Sequence, residues 1–204
     1  MNKNRRNRKL PVILEREELE AMLSLPNTRY LTSLRDNAIM KLMANCGLRV
    51  SEIVNLRPGD INLTKGKLRV VNGKGGVDRD IPFIPKGTVN TLREWKKRKP
   101  QSDYFFSNVR DNGGGKFKSY RGGQLAVRTV QSMIKNYARK AGIDKTVSPH
   151  TLRHTFATNY YRKNKDLEGL RMVLGHADLS TTQIYVTLAS IDVENGMRQY
   201  EEYG

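Results

Sequence analysis

Apolar residues recur three and four apart through the first part of the chain, the spacing of amphipathic helices. Residues 15–25 put Leu19, Met22 and Leu23 on one side and end near Pro26. Residues 32–45 repeat the arrangement with Leu34, Ala38, Leu42 and Met43, and Gly47 breaks it. Arg49 then opens a short helix through Leu56, stopped before Pro58. The period changes at Lys67: residues 67–71 and 78–83 are β-branched or alternating runs joined by N-G-K-G-G-V, which predicts a hairpin with Lys74 at its tip. Helical spacing returns over residues 86–98, with Val89, Leu92 and Trp95 inward. Residues 103–107 read as a short strand, the glycine-rich residues 108–118 as a mobile loop, and residues 123–141 as a long helix ended by Gly142.

The last third is predicted to be helical throughout. Ser148 can cap a helix whose first position suits Pro149. Residues 150, 153 and 154 of that helix share a face, and Leu152, Phe156 and Tyr160 form an apolar stripe elsewhere on it. A second helix over residues 166–174 stops at Gly175, which leaves His176 on a turn, the usual place of an exposed histidine. Asp178 or Ser180 can cap a third helix carrying Thr182, Ile184 and Tyr185. A separate tail helix, capped by Ser190 or Asp192, offers Ile191, Val193, Met197 and Tyr200 as apolar positions.

Charge adds a partner to this outline. Lys and Arg number 37 against 20 Asp and Glu, a net charge of +17. That excess points to a polyanion, nucleic acid ahead of a membrane surface. It is clustered in residues 3–9, 93–99 and 135–145, while the C-terminus turns acidic. Residues 1–11 lack periodicity and are expected to be a basic flexible arm or interdomain linker ahead of a domain over 12–204. No apolar run approaches the ~20 residues of a membrane span, and no signal segment is visible, which fits a cytoplasmic setting. The single cysteine, Cys46, lies on the apolar side of a helix as a reduced core residue.

Candidate chemistry narrows the function. Arg49 and Arg153 supply guanidinium forks that match phosphate oxygens in pairs. His150 and His176 can donate hydrogen bonds or move protons near neutrality. Tyr185 offers a hydroxyl nucleophile. Together they suggest attack on a phosphodiester. A metal-dependent hydrolase is a rival reading, since His150 and His154 stand at i and i+4 and His176 could be a third ligand. Against it, Thr151 occupies the place of the catalytic glutamate in H-E-x-x-H, and Arg153 puts a fixed positive charge on the ligand face. On this reading His154 is a structural residue of the helix packing. A non-catalytic DNA-binding regulator explains the charge but not the tyrosine, histidines and arginines.

H-T-L-R-H-T-F-A-T followed by L-G-H-A-D-L-S-T-T-Q-I-Y resembles the catalytic half of the tyrosine recombinases, the phage integrase family. G-L-R-V-S-E-I-V-N-L and G-K-G-G-V-D-R-D-I-P match it in the same order, so the resemblance runs over about residues 14–188. It implies a mainly helical α+β catalytic domain with a small three-stranded antiparallel sheet, and site-specific DNA recombination or integration through a 3′-phosphotyrosyl intermediate on Tyr185. Arg49, Arg153 and His176 would hold the phosphate and His150 would assist. Lys74 would be the general acid, Glu52 an acidic group that orients the site, and Arg79 a DNA contact. No cofactor or metal is implied. The implied partners are double-stranded recombination sites and further copies of the chain, a tetramer on synapsed DNA and a monomer when free, with accessory DNA-bending or directionality proteins. The implied setting is the nucleoid of a bacterium, phage or mobile element. The resemblance further implies an N-terminal DNA-clamping domain that is not in this sequence, and a tail that docks Met197 and Tyr200 in an apolar groove, in cis when monomeric and in trans when assembled.

Overall fold

The structure, a computed structural model, describes residues 10–71, 78–109, 122–176 and 182–201. Helix α1 (Arg16–Ser24) starts where the Glu18 carboxylate accepts the Glu15 N–H. Helix α2 (Leu31–Cys46) is the axis of the core: Leu34, Ala38, Ile39, Leu42 and Met43 are buried. It ends on Gly47, whose φ of 65° is the left-handed conformation that a side chain resists. Helix α3 (Val50–Asn55) and a 3-10 turn at Pro58–Asp60 lead into the sheet.

Strands β1 (Ile61–Asn62), β2 (Lys67–Val70) and β3 (Arg79–Ile81) form one antiparallel sheet in the order β1-β2-β3. Leu68 faces Ile81 across the ladder, and Ile61, Leu68, Val70 and Ile81 turn inward. Helix α4 (Lys86–Arg98) buries Val89, Leu92 and Trp95 against α2. Helices α5 (Val127–Lys140), α6 (Pro149–Asn164), α7 (Leu167–Leu174) and α8 (Ile184–Glu201) complete a mainly helical α+β fold, with α6 packed on α2 and on α8. The Ser148 hydroxyl caps α6 with Pro149 in its first turn, and Asp166 caps α7 through the Gly169 N–H at 2.8 Å.

The sheet is three-stranded as expected, yet its third strand is Ile61–Asn62 and not residues 103–107. In that segment the Phe105 N–H donates to the Leu56 carbonyl at 2.6 Å. The Phe105 carbonyl takes the Trp95 indole at 2.9 Å. Phe105 and Phe106 are wholly buried. The segment packs rather than pairs, apart from one bridge between Ser107 and Gln124. That bridge also holds residues 123–126 extended, so α5 begins at Val127, later than the spacing predicts. Among the described residues there is no separate tail helix. The Ser190 hydroxyl donates back to the Val186 carbonyl at 2.9 Å instead of capping, and α8 runs unbroken from Ile184 to Glu201. Met197 and Tyr200 are 62% and 78% exposed, so they occupy no groove of their own domain, contrary to the cis docking expected. Asp178, Ser180, Lys74, residues 1–9 and nearly all of the glycine-rich loop lie outside the described residues.

Candidate active site

The site is built where α3, β3, α6, the end of α7 and the start of α8 meet. Gly47 and Leu48 carry the chain from α2 to Arg49, which stands just before α3. Three residues on, Glu52 accepts the Arg49 backbone N–H at 2.7 Å and its guanidinium at 2.9 Å. The same carboxylate takes both forks of Arg79 from β3, at 2.8 and 2.9 Å. Arg79 Nε donates to the Val173 carbonyl at 2.7 Å, which ties the sheet to α7. Gly175 ends α7 at a φ of 63°, and a Cβ there would run into the Arg79 side chain. Both the turn and the close approach therefore need glycine.

Arg153, on α6, is 4% exposed. It donates to the Gly47 carbonyl at 2.5 Å and to the Leu174 carbonyl at 2.7 Å, so the two helix ends that flank the site are held by one guanidinium. Its NH2 lies 3.1 Å from His176 Nε2. The other ring nitrogen, Nδ1, lies 3.0 Å from the hydroxyl of buried Thr182. Because an arginine only donates, Nε2 must accept, and the proton of neutral His176 sits on Nδ1. Tyr185 is 1% exposed, and its hydroxyl lies 2.9 Å from His154 Nδ1. His150 is exposed, its ring 6.4 Å from that of His154.

Arg49 and Arg79 thus pair with one carboxylate and Arg153 feels its charge, so the three guanidiniums around Glu52 leave two positive charges uncancelled. Burial alone would raise the Glu52 carboxyl. The hydrogen bonds and charge of Arg79, the Arg49 N–H and the Arg153 charge outweigh it and leave the pKa below the usual value. Burial, then the Arg49 charge, pushes Arg153 down to about 10, so it stays cationic at neutral pH. Burial, followed by Arg153, Arg49 and Arg79, pushes His176 down to about 4. Burial, then His150 and Arg153, does the same to His154. Burial raises the Tyr185 phenol, against the opposing pull of Arg153 and Arg49. At neutral pH the site is therefore a cationic cage with neutral imidazoles and an un-ionised phenol.

Arg49, Glu52, Arg153, His176 and Tyr185 come together from the three sequence stretches that singled them out. His176 is not the exposed turn residue expected: both ring nitrogens are engaged, since Gly175 turns the chain back over the Arg153 guanidinium. Arg79, expected as a DNA contact, is held by Glu52 and the Val173 carbonyl. His154, read from the sequence as a packing residue, is the group at the Tyr185 hydroxyl, and Thr182 is a further partner of the site. Among the described residues, no three of His, Cys, Asp and Glu are grouped as metal ligands would be, and no helix is long and apolar enough to cross a membrane.

Residues 13–190 match the phage integrase family. Tyrosine recombinase XerD of Pseudomonas putida is 38% identical over 195 residues, which cover 96% of this chain and 63% of that protein. A crystal structure of XerA recombinase superposes with a TM-score of 0.76 at 29% identity, over 97% of this chain and 67% of the other. A XerH site-specific recombinase bound to palindromic difH substrate, a post-cleavage complex, gives a TM-score of 0.74 at 26% identity, over 95% of this chain and 54% of that one. The chain spans about three-fifths of the length of the XerD relative.

Proposed function

The chain belongs to the phage integrase family, and we propose on that footing that it cuts and rejoins DNA at specific sites through a covalent link between Tyr185 and a 3′ phosphate. The observation that carries the reading is a cluster of three guanidiniums around one carboxylate: Arg49 and Arg79 pair with Glu52, Arg153 acts on it through its charge, and the charges of Arg153 and Arg49 reach the Tyr185 phenol. Buried cations with too few carboxylates call for an anion, and a phosphodiester supplies one. Arg49 and Arg153 bind its non-bridging oxygens and stabilise the charge that develops as Tyr185 attacks, the task at which preorganised donors are most effective. Glu52 and Arg79 hold Arg49 in place. His176 joins the phosphate site once Arg153 turns to the phosphate and frees Nε2. His150, exposed at the start of α6, assists from the solvent side. Lys74, by resemblance, protonates the departing 5′ oxygen. The ester energy is kept in the protein–DNA link.

The substrate is double-stranded DNA, met by exposed basic residues that include Arg128, Lys135 and Arg139 of α5. Four copies on two synapsed sites are the working assembly. For this chain alone, affinity should fall by a few decades between roughly 50 and 200 mM salt, with little preference between sites. Nanomolar, site-selective binding at physiological salt would overturn that expectation.

The test is covalent capture on nicked duplexes from a randomised pool, read on a denaturing gel. The wild-type chain should form an adduct, with or without EDTA, and Tyr185→Phe should form none while still binding DNA. An adduct that survives the substitution removes Tyr185 from the role. An adduct lost in EDTA restores the metal-dependent hydrolase.

A further inference from the structure

His154 follows Arg153 on α6 and so lies about 100° around the helix from it, toward α8 rather than toward Gly47 and Leu174. Its Nδ1 is 2.9 Å from the Tyr185 oxygen, with the two rings 5.8 Å apart and tilted by 46°. Tyr185 is 1% exposed, so water does not serve its hydroxyl, and a buried O–H left unpaired would be costly. The phenol ring sits in an apolar cluster with Ala157, Leu170, Leu174 and Leu188. None of these can hydrogen-bond through its side chain, so the cluster fixes the ring while His154 fixes the oxygen.

Among the described residues, the charged and titratable groups around this contact are few, and His176 is a further one beside His154. His150 and Arg153 face it from α6, and Arg153 and Arg49 act on the phenol. All are cationic or neutral, and they favour an imidazole without a proton on one nitrogen. A neutral imidazole has one acceptor nitrogen, whereas a cationic one has none. The phenol is un-ionised and has a proton to give.

We propose that His154 is a positioning residue for the nucleophile: its Nδ1 accepts the Tyr185 O–H and so places the attacking oxygen beside the arginine cage. His154 then carries its own proton on Nε2. It acts through Tyr185 and makes no contact with the phosphate. This rests on the reading of Tyr185 as the nucleophile. Asparagine is the informative replacement, because its Oδ1 stands at the same distance from the backbone as Nδ1 and can accept the same hydrogen bond without titrating.

The experiment measures single-turnover adduct formation on one nicked duplex, selected from the randomised pool by its capture on the wild-type chain. Saturating protein is used, with DNA affinity and melting temperature recorded for each variant. His154→Asn should react within about threefold of wild type. His154→Leu should lose about 10- to 100-fold in rate, the effect of a reacting group misplaced by an ångström, with DNA affinity unchanged. The two variants should differ in rate but not in affinity, a split that a merely structural role would not give. A His154→Leu chain that reacts as fast as wild type, or faster, overturns the proposal, since the bond would then be idle or would hold the nucleophile back. A His154→Asn chain as slow as His154→Leu also overturns it, since the imidazole itself would be needed to take the proton. Should His154→Leu fail to fold, His154→Asn alone decides: a rate near wild type supports the proposal and a tenfold loss at unchanged affinity overturns it. If wild type and Tyr185→Phe are captured equally, the reading of Tyr185 has failed, a result separate from any of these.

Discussion

The cationic cage and Tyr185, the proposed nucleophile, are held by different kinds of structure. Arg49, Glu52, Arg79 and Arg153 are tied to four backbone carbonyls and to one another, and they rest on the large apolar core around α2, α4 and α6. Tyr185 belongs to a separate, smaller apolar cluster at the junction of α6, α7 and α8, and its polar end is tethered by one hydrogen bond to His154. A phosphate-binding cage must be stiff before the substrate arrives, or its electrostatic advantage is lost to reorganisation. A nucleophile has to travel toward phosphorus during the reaction. Separate packing lets the second move while the first stays fixed.

If that division is real, substitutions in the two regions should differ in stability as well as in chemistry. Glu52→Gln should have the largest effect, because it leaves buried Arg79 and half-buried Arg49 without their carboxylate. About 3–5 kcal/mol of unfolding free energy should be lost at neutral pH in urea titrations. The sign of the pH dependence follows from the lowered Glu52 pKa. Its contribution is complete above the unfolded value of about 4.3, and it is lost as pH falls through the folded value. His154 and His176 act in the same direction over a higher window. Their folded pKa of about 4 lies below the ordinary ~6.5, so the unfolded chain takes up protons first and stability falls as pH drops through that interval. Glu52→Gln should flatten the lower limb and leave the upper one. Tyr185→Phe should cost only about 1 kcal/mol, the net worth of one hydrogen bond, although it should abolish adduct formation. An equal loss from Glu52→Gln and Tyr185→Phe would erase the distinction between the regions. Removal of residues 197–204 should be the mildest change, under about 0.5 kcal/mol in the free chain, because Met197 and Tyr200 are exposed. A larger loss would extend the small cluster along α8.

How far the sequence foretold this follows from the range of each interaction. The apolar spacing located α2, α4 and α6 because burial repeats with the helical period, and Gly47 and Gly175 marked two ends because their backbone is left-handed. Arg49 and Glu52 were visible as neighbours three apart on a helix. The two-residue strand Ile61–Asn62 is too short to show any period. The bond from Arg79 to Glu52 spans 27 residues, and that from His154 to Tyr185 spans 31. Neither separation leaves a local signal, so the sequence did not show the tie from Arg79 to Glu52 and put His154 in the packing. The failure of the tail helix to separate has a similar origin: Ser190 is a good cap where a helix starts, but inside one its hydroxyl turns back to the preceding turn.

The unbroken α8 also has a mechanical meaning. At about 1.5 Å per residue, Tyr185 and Tyr200 stand about 22 Å apart on one stiff rod. Leu188, among the described residues the last of that rod in the small cluster, is taken as its fulcrum. The short arm to Tyr185 is then about 4.5 Å and the long arm to Tyr200 about 18 Å, a reduction of about four to one. Sideways pressure of about 2 Å on the free end becomes about 0.5 Å at the phenol, enough to stretch a 2.9 Å hydrogen bond to the limit of its useful range. A rod so held would work as a reducing gear, turning coarse displacement outside the domain into fine adjustment at the Tyr185 oxygen.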